Sequence, residues 1–226
     1  MIVLDGVTVT TEDDTTLLSD VTTTIPDGRT AVIGANGSGK TTLARLLNGL
    51  VRPTRGRVTV DGRDVADERR EVQRRVGFVF ANADHQIVYP TPVEDVALGL
   101  RARGVSRTEA RDRALAVLEE VGIADRAEQA VHTLSGGEKH LVALAAVLVL
   151  QPDWLVIDEP TTTLDLDNRR RVVDVLLSLP QRLVIVTHDL DLAGAMDHAL
   201  LVAQHSVHDA GVPSGVIECY RRMVGA

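Results

Sequence analysis

The run Gly34-Ala-Asn-Gly-Ser-Gly-Lys40-Thr41 constrains this chain more than any other stretch, because it matches G-x-x-x-x-G-K-[ST] in full. Its glycines let backbone N–H groups turn inward around a polyphosphate, where a Cβ would obstruct the approach. A helix starting near Lys40 points the positive end of its dipole at the same anion. Lys40 supplies a charge for the β- and γ-phosphates, and Thr41 offers a hydroxyl to Mg²⁺. Gly34, Ala35, Asn36, Gly37, Ser38, Gly39, Lys40, Thr41 and Thr42 are therefore the expected nucleotide-binding set. The context agrees: Arg29 to Ile33 reads as a short strand, and Leu43, Leu46, Leu47 and Leu50 recur at helical spacing.

Other segments alternate in the same way. Val3 to Thr10 has the period of a half-buried strand, and Arg57 to Val60 is another, ended by the Asp61-Gly62 turn pair. Leu155 to Ile157 and Leu183 to Val186 are wholly apolar, as strands covered on both faces are. Strands alternating with helices predict an α/β fold. From Val93 to Val121 the pattern is helical, broken at Gly104 and Ser106, with Thr108 expected as an N-cap. A single domain over 1–226 is expected, its sheet core spanning about 1–86 and 149–210, with a helical subdomain over about 87–148 inserted into it.

Composition narrows the function classes. Aromatic residues are 2% of the 226, too few for the stacking platforms of single-stranded nucleic acid binding, and the net charge of -8 disfavours a wrapped polyanion. Cys219 is the one cysteine, so no disulfide framework is expected. The N-terminal run lacks the features of a signal peptide, and the longest apolar run, Leu141 to Leu150, is too short to cross a bilayer. His205-Ser-Val-His208 has no acid or cysteine at metal spacing and is expected as a solvated tail. Arg169-Arg170-Arg171 is expected on an exposed helix face.

Two further motifs carry chemistry. Trp154 to Glu159 is an apolar strand ending in two acids. Asp158 at the strand tip is placed to hold Mg²⁺ with Thr41. Glu159 beside it can polarise an attacking water, which favours hydrolysis over a kinase whose base serves a substrate hydroxyl. Leu134-Ser135-Gly136-Gly137-Glu138 opens a second helix with a glycine pair but no lysine. Such an end suits a phosphate held by another chain, and it implies a head-to-tail dimer with the nucleotide at the interface.

In this order the phosphate loop, Ser135 to Glu138, Asp158-Glu159, Thr161 to Asp165 and Val186 to Asp189 resemble the ABC-type ATPase family, over almost the whole chain. The resemblance implies a P-loop NTPase sheet domain of the ABC ATPase type with an inserted helical subdomain, and ATP hydrolysis with Mg²⁺. It implies that Ser135, Gly136, Gly137 and Glu138 act in trans, that His188 serves the γ-phosphate, and that Asp165 links two composite sites. The second ATPase chain would be a copy or a paralogue.

Within the family, Phe80-x-Asn82-x-Asp84-x-Gln86-Ile87, followed by Pro90-Thr91 and an acidic helix, looks like the ATPases of energy-coupling factor transporters, which import vitamins and transition-metal ions. The short chain looks most like the biotin-type member, with the cobalt and nickel type beside it. That likeness implies an integral membrane coupling subunit, a substrate-binding membrane subunit, a peripheral position on the cytoplasmic face of the membrane, and no nucleic acid partner. Asp84, Gln86, Glu94 and Asp95 would then form a docking surface for an arginine-bearing segment, although Glu94 and Asp95 would also favour a helix N-terminus. Three departures stand out. The usual glutamine after Phe80 is Ala81, which leaves Asn82 or Gln86 to take its role. The aromatic that stacks on adenine falls at about Thr11. Leu141 stands where many relatives carry arginine.

Overall fold

Two short runs with no exposed side chain, Ala31 to Ile33 and Leu183 to Val186, lie side by side in parallel strands and set the framework of the sheet. The computed structural model describes residues 1–162 and 164–225. In chain order the elements are β1 (Ile2–Thr10), β2 (Thr16–Ile25), β3 (Arg29–Ile33), α1 (Lys40–Leu47), β4 (Arg55–Val60), β5 (Arg63–Asp64), α2 (Arg69–Arg75) and β6 (Val76–Val79). They continue as α3 (Pro92–Ala102), α4 (Arg107–Glu120), α5 (Gly136–Leu148), β7 (Trp154–Asp158), α6 (Leu166–Ser178) and β8 (Arg182–Val186). The chain closes with α7 (Leu190–Gly194), β9 (His198–Ala203), β10 (Ser206–Gly211) and α8 (Pro213–Val224).

The chain forms two compact units. The first holds Met1–Val76, Asp153–Glu159 and the chain from Gln181 onward. Here β3 pairs in parallel with β8 on one side (Ala31 opposite Ile185) and with β9 on the other (Ala31 opposite Ala199). β8 pairs in parallel with β7, and β9 turns back into β10. Central parallel strands are buried on both faces, hence their unbroken apolar sequence. A second sheet, in the order β2-β1-β4-β5, is antiparallel. Its strands alternate instead: Ile2, Leu4, Val7 and Val9 are buried, and the residues between them reach solvent.

One polar cluster braces this unit. Arg182 forks onto both carboxylate oxygens of Asp61 at 3.0 and 2.8 Å and lies 4.4 Å above the Trp154 ring, whose Nε1 donates to Asp61 at 3.2 Å. Burial alone would raise the Asp61 carboxyl, but hydrogen bonds from the Met1 amine, Arg182 and Trp154 outweigh it and hold the pKa at about 2. A depressed carboxyl stabilises the fold above its unfolded pKa and loses that contribution as the pH falls toward the folded value. Asp61→Asn should therefore cost about 1 kcal/mol at neutral pH, after allowance for partial exposure. It should also flatten the loss of stability between roughly pH 4 and 2. Urea unfolding at several pH values checks both.

The second unit holds Gly77–Pro152 and Pro160–Pro180. In it α3, α4 and α5 pack on one another, and α6 packs on α5. Val96, Leu100, Leu118 and Leu144 are in its core. It is less uniformly helical than the sequence pattern implies, because Ala83–His85, Ala124–Arg126 and Val131–Thr133 are single 3₁₀ turns. The cap of α4 is Ser106, not Thr108: its side chain accepts the Glu109 N–H, and the helix has already begun at Arg107. Among the described residues no helix is long and apolar enough to cross a membrane.

Candidate active site

The buried strand β3 delivers the chain into the turn at 34–39, and α1 begins at once with Lys40. Two glycines are required there. A Cβ on Gly34 would lie 2.1 Å from the Val202 carbonyl, and one on Gly39 would lie 2.7 Å from that of Leu17. Both also have positive φ, 147° and 107°. Lys40 is buried, and its Nζ donates to the Gly34 and Ala35 carbonyls at 2.9 Å each, so the loop curls around the ammonium. Burial pushes its pKa down, opposed by the carboxylates of Glu159 and Asp158. The Ser38 hydroxyl is buried with no hydrogen-bond partner, as expected of a group that waits for a ligand oxygen.

The strand-tip acids meet this loop. The Thr41 hydroxyl donates to Asp158 Oδ1 at 3.2 Å. Burial pushes the Asp158 carboxyl up, the Thr41 hydrogen bond pulls it down, and the Glu159 charge adds to the rise. A buried acid of that kind gains from a hard cation. Among the described residues no group of three His, Cys, Asp or Glu side chains could hold a metal ion, so a cation here would take its remaining ligands from phosphate and water. Glu159 sits in the left-handed region at φ 50°, with its N–H bonded to the Val186 carbonyl. Its Oε2 is 2.8 Å from Nδ1 of His188, which follows β8. A strained non-glycine backbone held by a neighbouring strand is a mark of functional positions. A cleft of about 320 Å³ joins these groups, lined by Asn36, Gly37, Gly39, Lys40, Thr41, Thr42, Glu159, Leu17 and His205.

The second unit carries the other helix end. Ser135 caps α5: its Oγ accepts the Glu138 N–H at 3.2 Å, and Glu138 accepts the Ser135 N–H at 2.8 Å. Glu138 also pairs with Arg126 at 2.9 Å, and this bond, with those from Ser135, holds its carboxyl below the usual range. Ser135 and Gly136 are exposed, while Gly137 is buried against Asn168, whose Oδ1 is 2.5 Å from the place a Cβ would take. Asn168 in turn donates twice to Asp165, the N-cap of α6, at 2.8 Å each. Thr163 of the Thr161–Asp165 motif lies outside the described residues.

Residues 18–162 match the family model described as ABC transporter. The chain belongs to the ABC transporter family. It is 45% identical over 184 residues to a biotin transport ATP-binding protein of Rhizobium etli, covering 81% of this chain and 82% of that one. It is 43% identical over 192 residues to an energy-coupling factor transporter ATP-binding protein of Symbiobacterium thermophilum, covering 82% and 67%. A dimeric ATP-binding cassette solved in a post-hydrolysis state with ADP and phosphate superposes with a TM-score of 0.85 at 28% identity, covering 94% of this chain and 99% of that one. The chain is thus an ABC-type ATPase of the energy-coupling factor kind, with the α/β P-loop NTPase fold, and it hydrolyses ATP to drive transport.

For an ABC ATPase, several side chains sit differently from the sequence expectation. Asp95 is no part of an exposed acidic surface. It is buried, and its Oδ1 accepts the N–H groups of Val88 and Tyr89 at 2.7 and 2.9 Å, so the carboxylate closes a loop. Gln86 spends both ends of its amide inside the second unit, accepting from Phe80 N–H at 3.0 Å and donating to the Ala143 carbonyl at 3.2 Å. Glu94 accepts from the Thr91 hydroxyl at 2.9 Å. Asp84 alone of the three acids is largely exposed, at 60%, and it pairs with Lys139 at 2.7 Å. His205 to His208 is no solvated tail, because Ser206 onward is β10 and His205 lines the nucleotide cleft. No spacing in the sequence pointed to Leu17 and His205; β2 carries the first to the loop and the β9–β10 turn carries the second.

Proposed function

We propose that this chain is the ATPase of an energy-coupling factor importer for a vitamin or transition-metal ion, biotin favoured. It would act as a head-to-tail dimer at the cytoplasmic face of a membrane, docked on an integral coupling subunit that works with a substrate-binding membrane subunit. The supporting observation is that Lys40, Thr41 and Glu159 line one cleft, with Asp158 hydrogen-bonded to Thr41 and His188 to Glu159. In this reading the N–H groups of residues 34–42 and the Lys40 ammonium bind the triphosphate, and Ser38 gains the partner its hydroxyl lacks. Thr41 and Asp158 hold Mg²⁺, which supplies charge neutralisation at the phosphates when bound. Glu159 takes a proton from the attacking water, and His188 orients the Glu159 carboxylate and reaches the γ-phosphate. The exposed Ser135-Gly136 end of α5 supplies N–H groups to the nucleotide of the opposite chain. The dimeric cassette among the similar structures supports that arrangement, and the names of the biotin and energy-coupling factor relatives support the transporter class and substrate.

Mixing tests the dimer. Lys40→Ala and Ser135→Arg chains should each be inactive alone, and mixing them should restore ATP hydrolysis, because one composite site of the mixed dimer keeps an intact loop and an intact helix end. No recovery, with the wild-type chain active alone, would overturn the self-paired dimer. Uptake of labelled biotin, by cells expressing the chain with the membrane proteins that copurify with it, tests the substrate; uptake of cobalt or nickel ions instead would reassign it.

A further inference from the structure

The cleft around the phosphate loop has two chemically different kinds of lining. Asn36, Gly37, Gly39 to Thr42 and Glu159 belong to the phosphate and magnesium machinery, whereas Leu17 and His205, which lie together, do not. The chain has five Trp, Tyr and Phe residues in all. None of them lines this cleft, so among the described residues His205 is the only one with a ring there.

Its position is held firmly and at a cost. Gln204 and His205 form the turn between β9 and β10, and both are left-handed, at φ 49° and 65°. Turns of that hand favour glycine and asparagine, so a Gln-His pair is a strained choice. The turn is tied to β2 twice. The His205 carbonyl accepts the Ser19 N–H at 2.8 Å, and the ring Nδ1 lies 3.1 Å from the Leu17 carbonyl. That same carbonyl abuts Gly39, the cap of α1, so the imidazole is fixed beside the loop. A carbonyl only accepts, so Nδ1 carries the proton, and Nε2 of the neutral ring is an acceptor.

We propose that His205 reads the nucleobase of the bound nucleoside triphosphate. Its Nε2 accepts, edge to edge, a hydrogen bond from an exocyclic amino group of the purine, which packs on Leu17. An adenine presents that donor at C6, where a guanine presents a carbonyl, so His205 is a specificity-determining residue for ATP over GTP. The inference rests on the reading of the cleft as the nucleotide site.

The test compares Kd values for Mg-ATP, Mg-GTP and inorganic tripolyphosphate, which has phosphates but no base. His205→Ala should weaken ATP about tenfold and leave tripolyphosphate unchanged, the latter also reporting an intact loop. His205→Phe, which keeps a ring but has no acceptor, should stay as weak for ATP as His205→Ala and bind ATP and GTP alike, whereas His205→Gln, whose Oε1 accepts, should recover part of the preference for ATP. An unchanged ATP Kd in His205→Ala would overturn the proposal. So would equal losses for ATP and tripolyphosphate, which would mean that His205 only shapes the turn, or a Phe variant that kept the wild-type preference for ATP over GTP. Wild-type protein that bound neither ATP nor tripolyphosphate would instead refute the cleft as the nucleotide site, and the base contact with it.

Discussion

Glu159→Gln is expected to bind ATP with a Kd within about threefold of wild type while hydrolysing it roughly 10² to 10⁴ times more slowly, the usual contribution of a positioned general base. The substitution isolates that role. Gln has the same shape, faces the same backbone strain at φ 50°, and its side-chain oxygen can still accept from His188 Nδ1 across the 2.8 Å now spanned by the carboxylate. The neutral amide has no basic oxygen to take a proton from water. His188→Ala should lower hydrolysis as well, and the double variant should be little worse than Glu159→Gln alone, because residues that act as a unit are not additive. Single-turnover hydrolysis beside equilibrium ATP binding separates the two quantities. A Glu159→Gln protein that hydrolyses ATP near the wild-type rate would remove Glu159 from the chemistry.

Lys40→Ala should act on the other quantity. The ammonium is buried, and its present partners are two loop carbonyls, Gly34 and Ala35. Burial depresses its pKa, so an anion entering the loop relieves an existing penalty as well as adding attraction. Removing one member of a buried charged pair costs about 3 to 5 kcal/mol, which is about two to four powers of ten in Kd. The variant should also fold less tightly around its loop, so its melting temperature without nucleotide belongs beside the titration. ATP binding within threefold of wild type would contradict the assignment.

What could be read from the sequence followed from how local the chemistry is. The phosphate loop, the Asp158-Glu159 pair and His188 stand at the ends of apolar strands, and a strand end followed by a polar residue is visible in one dimension. The parallel sheet was visible for the same reason. The acids after Pro90 were not. Asp95 has the helix-opening position that suits an exposed carboxylate, yet its partners are the N–H groups of Val88 and Tyr89, and backbone donors leave no mark in the residue pattern. Gln86 has the residue type for the role left open at Ala81, yet both ends of its amide are occupied. His205 reads as part of a solvated tail because the hand of a two-residue turn is set by backbone angles, and Gln-His does not advertise a left-handed turn as Asn-Gly would.

The contact between Gly137 and Asn168 also limits how this chain can change over time. With Asn168 Oδ1 2.5 Å from the site of a Cβ, no side chain fits at 137 while asparagine occupies 168. Asparagine cannot simply leave first, because it bonds Asp165 at the cap of α6. Single substitutions at either position therefore meet a fitness barrier. Because the Asn168 Cβ is itself 2.7 Å from that place, drift at this pair would need glycine at 168 or a shift of α6 before anything other than glycine became tolerable at 137, so the two sites are bound to one another although 31 positions apart in the chain.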